Sequence, residues 1–324
     1  MVFVQGGGEV PSSNVKVSVF CLAYNHEAYI RDALDGFVKQ KTNFPYEVIV
    51  HDDASTDRTA EIIREYAEKY PEIIKPIYQT ENQYSKGIKI TQTYIFPKLQ
   101  GEYVAICEGD DYWTDENKLQ MQFDFMEKHR DYVACAHNTL FDFLQTGEKR
   151  VFYSSMDQEV ELKDAIVGGG MAYHTSSLFY RREFLFNRPS FVSTIPGVGD
   201  YPLAIYLSLS GKVMRFGKVM SVYRLGREGS WTRNNIQNIE KMIALREKTI
   251  TMLNMANEYS KFTYDELFRE RIVYFEYLIL KLKGDYKSLK SKKYKHYYKA
   301  ETPREKCRLW LRKNFPFLFK RKAK

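Results

Sequence analysis

Short runs of β-branched and aromatic residues alternate with amphipathic segments in the first part of this chain. The runs are Val15 to Leu22, Glu47 to His51, Ile74 to Tyr78 and Tyr103 to Cys107, and their length and apolar character are typical of buried strands. The resulting order, β-α-β-α-β-α-β over about 100 residues, predicts right-handed crossovers and a mostly parallel sheet flanked by helices. The predicted fold class is therefore α/β.

The segments between and after these runs have helical spacing. They predict helices near residues 30–38, 59–70 and 90–99, with Asn25 as a candidate cap for the first. A further helix is predicted beyond residue 114, and Thr114 or Asp115 is its candidate cap.

The acidic stretch Glu108 to Trp113 follows directly on the fourth run and places three carboxylates within four residues. Open α/β sheets bind their ligands at the carboxyl ends of strands, which is where this stretch lies. Clustered carboxylates repel one another, and hard oxygen ligands suit Mg²⁺ or Mn²⁺, which in turn bind phosphate oxygens. The alternative is a solvated acidic turn that caps the following helix.

Two common phosphate-binding loops are absent from the sequence. The first strand is followed by Ala23-Tyr24-Asn25-His26, which is neither a Gly-x-Gly-x-x-Gly fingerprint nor a Walker-type Gly-Lys-Ser/Thr loop. If phosphate is bound, a metal ion on Asp110 and Asp111 would hold it.

Composition bounds the class of protein. A chain of 324 residues that is 44% hydrophobic and 28% charged predicts a soluble protein with one large domain or two smaller ones. No run approaches the ~18 apolar residues of a membrane span. Residues 1–14 lack the pattern of a signal peptide, which predicts a flexible N-terminus and a cytoplasmic protein. The four cysteines are scattered, which favours reduced thiols over a zinc site.

The net charge of +8 comes from the end of the chain. Residues 281–324 hold 17 Lys and Arg against 3 Asp and Glu, whereas the preceding residues hold 32 against 38. Aromatic residues from Tyr286 to Phe319 are interleaved with these cations, which predicts contact with an anionic membrane surface on the inner face of the cell membrane. RNA binding and a disordered solubilising tail are the alternatives. Membrane contact is favoured over both, and no nucleic-acid partner is expected.

Residues from about Val17 to Asn138 resemble a family 2 glycosyltransferase of the GT-A fold, of the bacterial surface-polysaccharide type. The resemblance is carried by Val19 to Asn25, Val48 to Asp57 and Gly101 to Asp111, in this order and spacing. A looser match extends to about Trp231.

The resemblance implies a domain organisation. A GT-A nucleotide-diphospho-sugar transferase fold is expected over 15–232, with a nucleotide-binding half at 15–138 and an acceptor half at 139–232. A helical, basic and aromatic C-terminal extension is expected over 233–324.

In such enzymes the acidic stretch is the "DxD" motif, which here has Glu108 at its first position. By this resemblance Asp111 is the ligand of Mn²⁺ or Mg²⁺, and Asp110 contacts the ribose or the sugar. The plainer interpretation remains an acidic turn.

The resemblance also implies a site for the nucleotide base. Asp53 resembles the carboxylate that accepts a hydrogen bond from a pyrimidine, and Tyr24 resembles the aromatic that packs near the base. Glu27 lies one turn into the adjoining helix. The plainer interpretations are that Asp53 only ends a strand and that Tyr24 belongs to the core.

Asp200 is the candidate catalytic base. It is flanked by Gly199 and precedes a predicted helix at Leu203 to Leu209, which is also typical of a plain N-cap. The family carries its base about 90 residues beyond the metal motif, and the two roles are compatible because a helix N-terminus keeps a carboxylate ionised. His174 is the alternative candidate for the base, although a histidine in such a place is more often simply a polar residue at the edge of a sheet.

Three further features stay open. Gly168-Gly169-Gly170 predicts either a mobile element beside a ligand or simply a flexible loop. Many relatives have a histidine near Tyr223 to Trp231, and this chain has none there, so a third metal ligand is unassigned. Arg224 and Arg227 are candidate contacts to the diphosphate or the acceptor, or else solvated surface arginines.

The predicted activity is that of an inverting, metal-dependent glycosyltransferase. It would move a sugar from a nucleotide-diphosphate donor, expected to be a UDP-sugar, to a hydroxyl of a glycan or lipid-linked acceptor in surface-polysaccharide biosynthesis. Two other classes are a nucleotidyltransferase on a similar sheet and a non-catalytic membrane or nucleic-acid adaptor that uses the basic tail. The first usually has a glycine-rich, basic loop after its first strand, and the second leaves the acidic motifs unexplained.

Overall fold

The computed structural model describes residues 14–186, 188–195, 198–227 and 238–314, with the backbone alone for 312–314. The predicted flexible N-terminus, Trp231 and the aromatic residues from Phe315 to Phe319 lie outside the described residues.

The described chain forms two compact units. The first comprises residues 14–159, 173–186 and 212–225, and the second comprises the other described residues. The first contains the sheet with its strands and helices α1 to α3, and the second is helical.

One mixed sheet occupies the first unit. Its strands, within the described residues, are β1 (Val17–Ala23), β2 (Tyr46–Asp52), β3 (Ile74–Tyr78), β4 (Tyr103–Ile106), β5 (Tyr112–Trp113), β6 (Tyr132–Phe143), β7 (Glu148–Val151), β8 (Gln158–Glu159), β9 (Phe179–Arg181) and β10 (Lys212–Leu225). The strand order is β3-β2-β1-β4-β9-β6-β10-β5, with β7 on β6 and β8 on β10.

The four strands predicted from the alternating pattern pair in parallel, as expected. β1 lies between β2 and β4, with Val17 beside both Tyr46 and Tyr103. The loops that follow β2 and β4 therefore leave the sheet at the same edge, on either side of β1. β6 and β10 also pair in parallel, while β9 inserts antiparallel between β4 and β6.

Helices α1 (Ile30–Val38), α2 (Thr59–Lys69) and α3 (Lys118–Lys128) bury their apolar faces in the core of the first unit. The prediction that Asn25 caps α1 was wrong, because α1 begins at Ile30 and Tyr29 precedes it without a side-chain cap. Asn25 instead has a φ of 53°, and its Oδ1 accepts a hydrogen bond from the Thr56 amide at 2.9 Å.

Two other local predictions were also wrong. Residues 90–99 form a π-helical turn and a 3-10 turn rather than an α-helix. α3 begins at Lys118, later than a cap at Thr114 or Asp115 requires. The reason is tertiary, since β5 pairs with Ser221 and Val222 of β10 and keeps the chain extended there.

The helices of the second unit, within the described residues, are α4 (Leu162–Gly168), α5 (Asp200–Ser210), α6 (Ile239–Tyr259), α7 (Asp265–Lys283), α8 (Tyr286–Leu289), α9 (Lys295–Ala300) and α10 (Pro303–Asn314). The helical C-terminal extension is thus present. Among the described residues, no helix is both long and apolar enough to cross a membrane.

Many of the C-terminal aromatics pack against the protein itself. Tyr286, Leu289 and Leu309 form a small core with Tyr277 of α7. The Tyr294 hydroxyl donates to a Glu276 carboxylate oxygen at 3.0 Å. Burial and hydrogen bonding therefore account for these tyrosines without a membrane, whereas the Trp310 side chain is 58% exposed.

Candidate functional site

The acidic stretch follows β4 and lies beside the end of β1 and the start of α1. The Gly109 amide donates to the Leu22 carbonyl at 2.9 Å, which ties the stretch to the end of β1. A Cβ at position 109 would lie 2.9 Å from His26 Nδ1, so this close approach requires glycine. Carboxylate oxygens of Glu108, Asp110 and Asp111 consequently lie within 4.8 Å of one another.

Asp111 is the most buried of the three carboxylates, with 1% of the residue exposed. Its Oδ1 accepts a hydrogen bond from the Arg224 amide at 3.0 Å. Its Oδ2 has no hydrogen-bond partner within the described residues. Burial raises the pKa of Asp111 well above its ordinary value, and the negative charges of Asp110 and Glu108 raise it further.

These features fit a bound divalent cation. A buried carboxylate oxygen without a donor is costly unless something offsets its charge. Three clustered carboxylates supply the hard oxygen ligands that Mg²⁺ and Mn²⁺ prefer. Asp111, with help from Asp110 and Glu108, is therefore the residue best placed to hold such an ion.

Arg224 of β10 contacts the acidic stretch through both its backbone amide and its guanidinium. Its guanidinium donates to the Asp110 carbonyl at 3.0 Å, pairs with Asp32 and lies 4.4 Å from the ring centroid of Tyr112. Only 10% of its side chain is exposed. These contacts orient the acidic stretch, and direct contact with a diphosphate stays a prediction. Arg227 is partly exposed and belongs to the second unit.

Two histidines flank the carboxylates. His174 Nε2 lies 3.9 Å from Asp111 Oδ2, and burial lowers the pKa of His174 to about 3. His26 Nε2 lies 3.8 Å from Asp110 Oδ2. His26 was not predicted as a site residue from the sequence, although its place in the turn directly after β1 was a usable signal.

Asp53, directly after β2, is buried, and each of its carboxylate oxygens accepts a hydrogen bond. Its Oδ1 accepts from the Gln83 amide at 2.8 Å and its Oδ2 from the Tyr84 amide at 3.0 Å. Asp53 thereby holds the loop that follows β3. Each carboxylate oxygen has a second lone pair, so the predicted contact to a base stays compatible with this geometry.

Tyr24 and Glu27 lie in the turn between β1 and α1. The Tyr24 residue is 43% exposed, so it is not part of the core. Glu27 accepts a hydrogen bond from the Arg58 amide at 3.0 Å and its own amide donates to Asp57 at 3.0 Å. Glu27 therefore ties the turn after β1 to the turn after β2, and its predicted contact to the nucleotide stays untested.

Asp200 belongs to the second unit and is the first residue of α5. Gly199 occupies the N-cap position, and Asp200 Oδ1 accepts a hydrogen bond from the next amide, Tyr201, at 2.8 Å, so the interpretation of Asp200 as a plain N-cap was wrong. Burial raises the pKa of the Asp200 carboxyl above its ordinary value. A Cβ at position 170 would overlap the Asp200 Oδ2, so Gly170 lies directly against this carboxylate.

The sequence of this chain is similar to those of known proteins. The family model for glycosyl transferase family 2 matches residues 18–186, about half of the chain. An uncharacterized protein of Mycobacterium tuberculosis is 36% identical over 217 residues, which cover 66% of this chain and 60% of that protein. The chain thus matches less than two thirds of the length of this curated relative.

Two solved structures share the fold. S. aureus TarS, residues 1–349 in complex with UDP, aligns with a TM-score of 0.55 at 18% identity, covering 92% of this chain and 79% of that one. The mannosyltransferase PcManGT from Pyrobaculum calidifontis, in complex with GDP-Man and Mn²⁺, aligns with a TM-score of 0.52 at 16% identity, covering 94% and 89%. These likenesses confirm the GT-A fold that the sequence predicted.

Proposed function

Because the chain belongs to glycosyl transferase family 2, we propose that it moves a sugar from a nucleotide-diphosphate donor to a hydroxyl group. The proposed donor is a UDP-sugar and the proposed acceptor is a glycan or lipid-linked glycan of surface-polysaccharide biosynthesis. The transfer inverts the configuration at the anomeric carbon, because one direct displacement is proposed.

The acidic stretch is the observation that carries this proposal. It places three carboxylates within 4.8 Å of one another and leaves the buried Asp111 Oδ2 without a hydrogen-bond partner in the described part of the chain. Asp111 and Asp110 would hold Mn²⁺ or Mg²⁺, which when bound offsets the negative charge that develops on a departing diphosphate. Arg224 keeps these carboxylates in place, because its guanidinium donates to the Asp110 carbonyl and its backbone amide donates to Asp111 Oδ1.

The turns after β1 and β2 are the proposed site of the nucleotide base. Tyr24 offers an exposed ring on which a base can pack. Asp53 offers carboxylate lone pairs to the N3–H of uracil, while its bonds to the Gln83 and Tyr84 amides keep it fixed.

Asp200 is the proposed general base, which takes the proton from the acceptor hydroxyl as the oxygen attacks the anomeric carbon. A base works best when its pKa approaches the working pH, and burial raises the pKa of Asp200 in that direction. Since only the ionised form accepts a proton, transfer should fall as the pH drops through this raised pKa.

The C-terminal helices are the proposed contact to an anionic membrane that carries the acceptor, which would make the protein peripheral on the inner face of the cell membrane. Lys287, Lys292 and Lys295 are exposed there, and each cation near an anionic surface contributes about 1 kcal/mol. Sedimentation with anionic vesicles tests this with Lys287→Glu, Lys292→Glu and Lys295→Glu combined. Equal pelleting of this variant and the wild type would contradict the proposal that these helices bind the membrane.

The proposed activity is tested by calorimetry with UDP and GDP, each with and without Mn²⁺, followed by transfer assays over a panel of nucleotide sugars. We expect Mn²⁺-dependent binding of UDP and release of UDP on turnover. Release of pyrophosphate would indicate a nucleotidyltransferase, and absence of metal-dependent nucleotide binding would indicate an adaptor.

Asp200→Asn separates binding from chemistry. We expect this variant to bind UDP and Mn²⁺ like the wild type and to lose transfer by about 100-fold or more. Full transfer by a folded Asp200→Asn protein would show that another group is the base.

A further inference from the structure

The turn after β1 (residues 24–29) and the turn after β2 (residues 53–58) lie side by side in the first unit. The Asp53 amide donates to the Ala23 carbonyl at 3.0 Å, so the bonding between the two strands continues into the turns. Tyr24 and Asp53, the two proposed contacts to the base, belong to different turns. Their relative position therefore depends on how the two turns are held together.

Asn25 and Ser55 form the first connection between the turns. The Asn25 amide donates to Ser55 Oγ at 2.9 Å, and Asn25 Oδ1 accepts from the Thr56 amide at 2.9 Å. The Ser55 hydroxyl donates to Asp52 Oδ1. A hydroxyl has one hydrogen and two lone pairs, so Ser55 can accept from the amide while it donates to the carboxylate. The bonds of this connection are thus mutually compatible.

Thr59 and Asp57 form the second connection. The His26 amide donates to Thr59 Oγ1 at 2.7 Å, and the Thr59 hydroxyl donates to Asp57 Oδ1. Asp57 Oδ2 accepts from the Glu27 amide at 3.0 Å, and a Glu27 carboxylate oxygen accepts from the Arg58 amide at 3.0 Å. Each turn therefore supplies acceptors for backbone amides of the other. The side chains that make these connections form a turn clasp, which consists of Asn25, Glu27, Ser55, Asp57 and Thr59.

The residue after each proposed base contact has a left-handed backbone. Asn25 follows Tyr24 and has a φ of 53°, and Ala54 follows Asp53 and has a φ of 59°. This conformation is unfavourable for residues with a Cβ, more so for alanine than for asparagine. Such strain persists only where the surrounding bonds over-determine the backbone, and it is concentrated at functional sites. The clasp thus holds both turns in shapes that their local sequence does not favour.

We propose that the side chains of the turn clasp are positioning residues for the nucleotide base. They fix the Tyr24 ring relative to the Asp53 carboxylate before a nucleotide binds, and so they let the site select uracil. The proposal rests on the proposed function, because it takes Tyr24 and Asp53 as the contacts to the base. Groups that are already fixed lose less conformational freedom on binding, which raises affinity.

Cytosine is the base that best tests the selection. Uracil N3 carries a hydrogen that the Asp53 carboxylate can accept, whereas cytosine N3 carries a lone pair. A site built to accept a hydrogen bond discriminates against a ligand that lacks the donor, because its buried acceptor is left unpaired. The ratio of UDP affinity to CDP affinity therefore reports how well the Asp53 carboxylate is placed.

Hydrogen exchange of the ligand-free protein, followed by NMR, tests whether the clasp exists before binding. The backbone amides to follow are those of Asn25, His26, Glu27, Thr56 and Arg58. We expect their exchange to be at least about 100-fold slower than in the unfolded chain, and to slow by less than about threefold more when UDP is added. Amides that become protected only with UDP would overturn the proposal.

Thr59→Val removes the hydroxyl of the second connection and keeps the shape of a fully buried side chain. In calorimetry with Mn²⁺ present, we expect UDP to bind about tenfold more weakly to this variant and CDP to bind within about twofold of the wild type. Thr59→Ser keeps the hydroxyl and should restore the UDP affinity to within about threefold of the wild type. Equal losses for UDP and CDP, or no loss for either, would overturn the proposal.

Thr42→Val is the matched control, because the Thr42 hydroxyl donates to the Phe44 carbonyl at 2.7 Å before the start of β2. It should leave the ratio of UDP to CDP affinity unchanged. Ser55→Ala repeats the test at a partly exposed position of the clasp, in case Thr59→Val does not fold. The ratio should fall by about threefold or more in Ser55→Ala and return in Ser55→Thr, and an unchanged ratio in Ser55→Ala would overturn the proposal.

Failure of the proposed function gives a different result. If the wild type binds no UDP, or binds UDP and CDP equally, Asp53 is not the contact to a uracil base and the role of the clasp falls with it. If the wild type prefers UDP and Thr59→Val keeps that preference, the proposed base site stands and only the role of the clasp falls.

Discussion

Two buried aspartates follow strands that lie on either side of β1 in the same sheet, and their carboxylates have different hydrogen bonds. Asp53 follows β2, and both of its oxygens accept backbone amides, from Gln83 and Tyr84. Asp111 follows β4, and among the residues that the structure describes only its Oδ1 has a donor, the Arg224 amide. The residues are 3% and 1% exposed, so burial does not distinguish them.

The difference separates an aspartate that builds structure from one that is left available to a ligand. A buried carboxylate with both oxygens bonded contributes to stability through its loop, while one with an unpartnered oxygen costs stability until something binds. Perturbed groups of the second kind are enriched at functional sites. The comparison therefore locates the proposed cation at Asp111 rather than at Asp53.

The largest effect is expected for Asp111→Asn. Transfer activity should fall by about 100-fold or more, because the variant lacks the charge that would hold the cation. Without metal, its midpoint of thermal unfolding should equal or exceed that of the wild type, since a buried charge beside two carboxylates is removed. Thermal scans with and without Mn²⁺ check this. A Mn²⁺-induced shift of the midpoint equal to that of the wild type would show that Asp111 does not hold the cation.

Gly170→Ala tests whether the position of the Asp200 carboxylate matters for the proposed chemistry. A Cβ at position 170 overlaps the Asp200 carboxylate, so kcat should fall by about 10- to 100-fold with little change in donor KM. Gly168→Ala is the control, because its Cβ would meet only Ala172 Cβ, at an ordinary 3.7 Å. Equal kinetics of the two variants would contradict a role for Gly170 in placing Asp200.

Asp53→Asn should show the opposite pattern to Asp111→Asn. An amide nitrogen would replace one acceptor and face a backbone N–H, which costs about 1–3 kcal/mol and lowers the unfolding midpoint by a few degrees. UDP affinity should fall about tenfold, while Mn²⁺-induced stabilisation should persist. Calorimetry measures the UDP affinity and thermal scans measure the unfolding midpoint. An unchanged midpoint would show that the hydrogen bonds of Asp53 do not stabilise the fold.

The smallest effect concerns Lys118 of α3, a buried charge that no carboxylate pairs with among the described contacts. Its ammonium donates to Gln122 at 2.7 Å, and burial lowers its pKa to about 7. Between about pH 7 and the ordinary pKa of 10.5, the unfolded chain binds more protons than the folded one, so this lysine makes stability rise with pH.

Lys118→Met should remove that contribution and flatten the dependence of the unfolding free energy on pH in this window. Lys128→Met, at the exposed end of the same helix, is the control and should leave the slope unchanged. Denaturant titrations at several pH values make the measurement. A slope unaltered by Lys118→Met would show that the buried lysine keeps its proton in the folded state.

Much of the first unit could be predicted because its signals are local. The strands β1 to β4 and the helices α1 and α2 follow from runs and periodicities within a few residues. The helix predicted at 90–99 failed because local spacing there does not distinguish an α-helix from π and 3-10 turns. The late start of α3 escaped prediction because pairing of β5 with β10, far along the chain, keeps that segment extended.

By itself, the sequence determined the parallel strands, the position of the acidic stretch at the end of β4 and the residue types suited to a divalent cation. Only the tertiary structure decided that both oxygens of Asp53 accept hydrogen bonds, whereas Asp111 Oδ2 has no donor within the described residues. The Arg224 amide that bonds Asp111 comes from 113 residues away, and His174 Nε2, from another distant segment, lies 3.9 Å from the other oxygen. Hydrogen-bond satisfaction depends on such distant partners, and no local pattern of residue types encodes them.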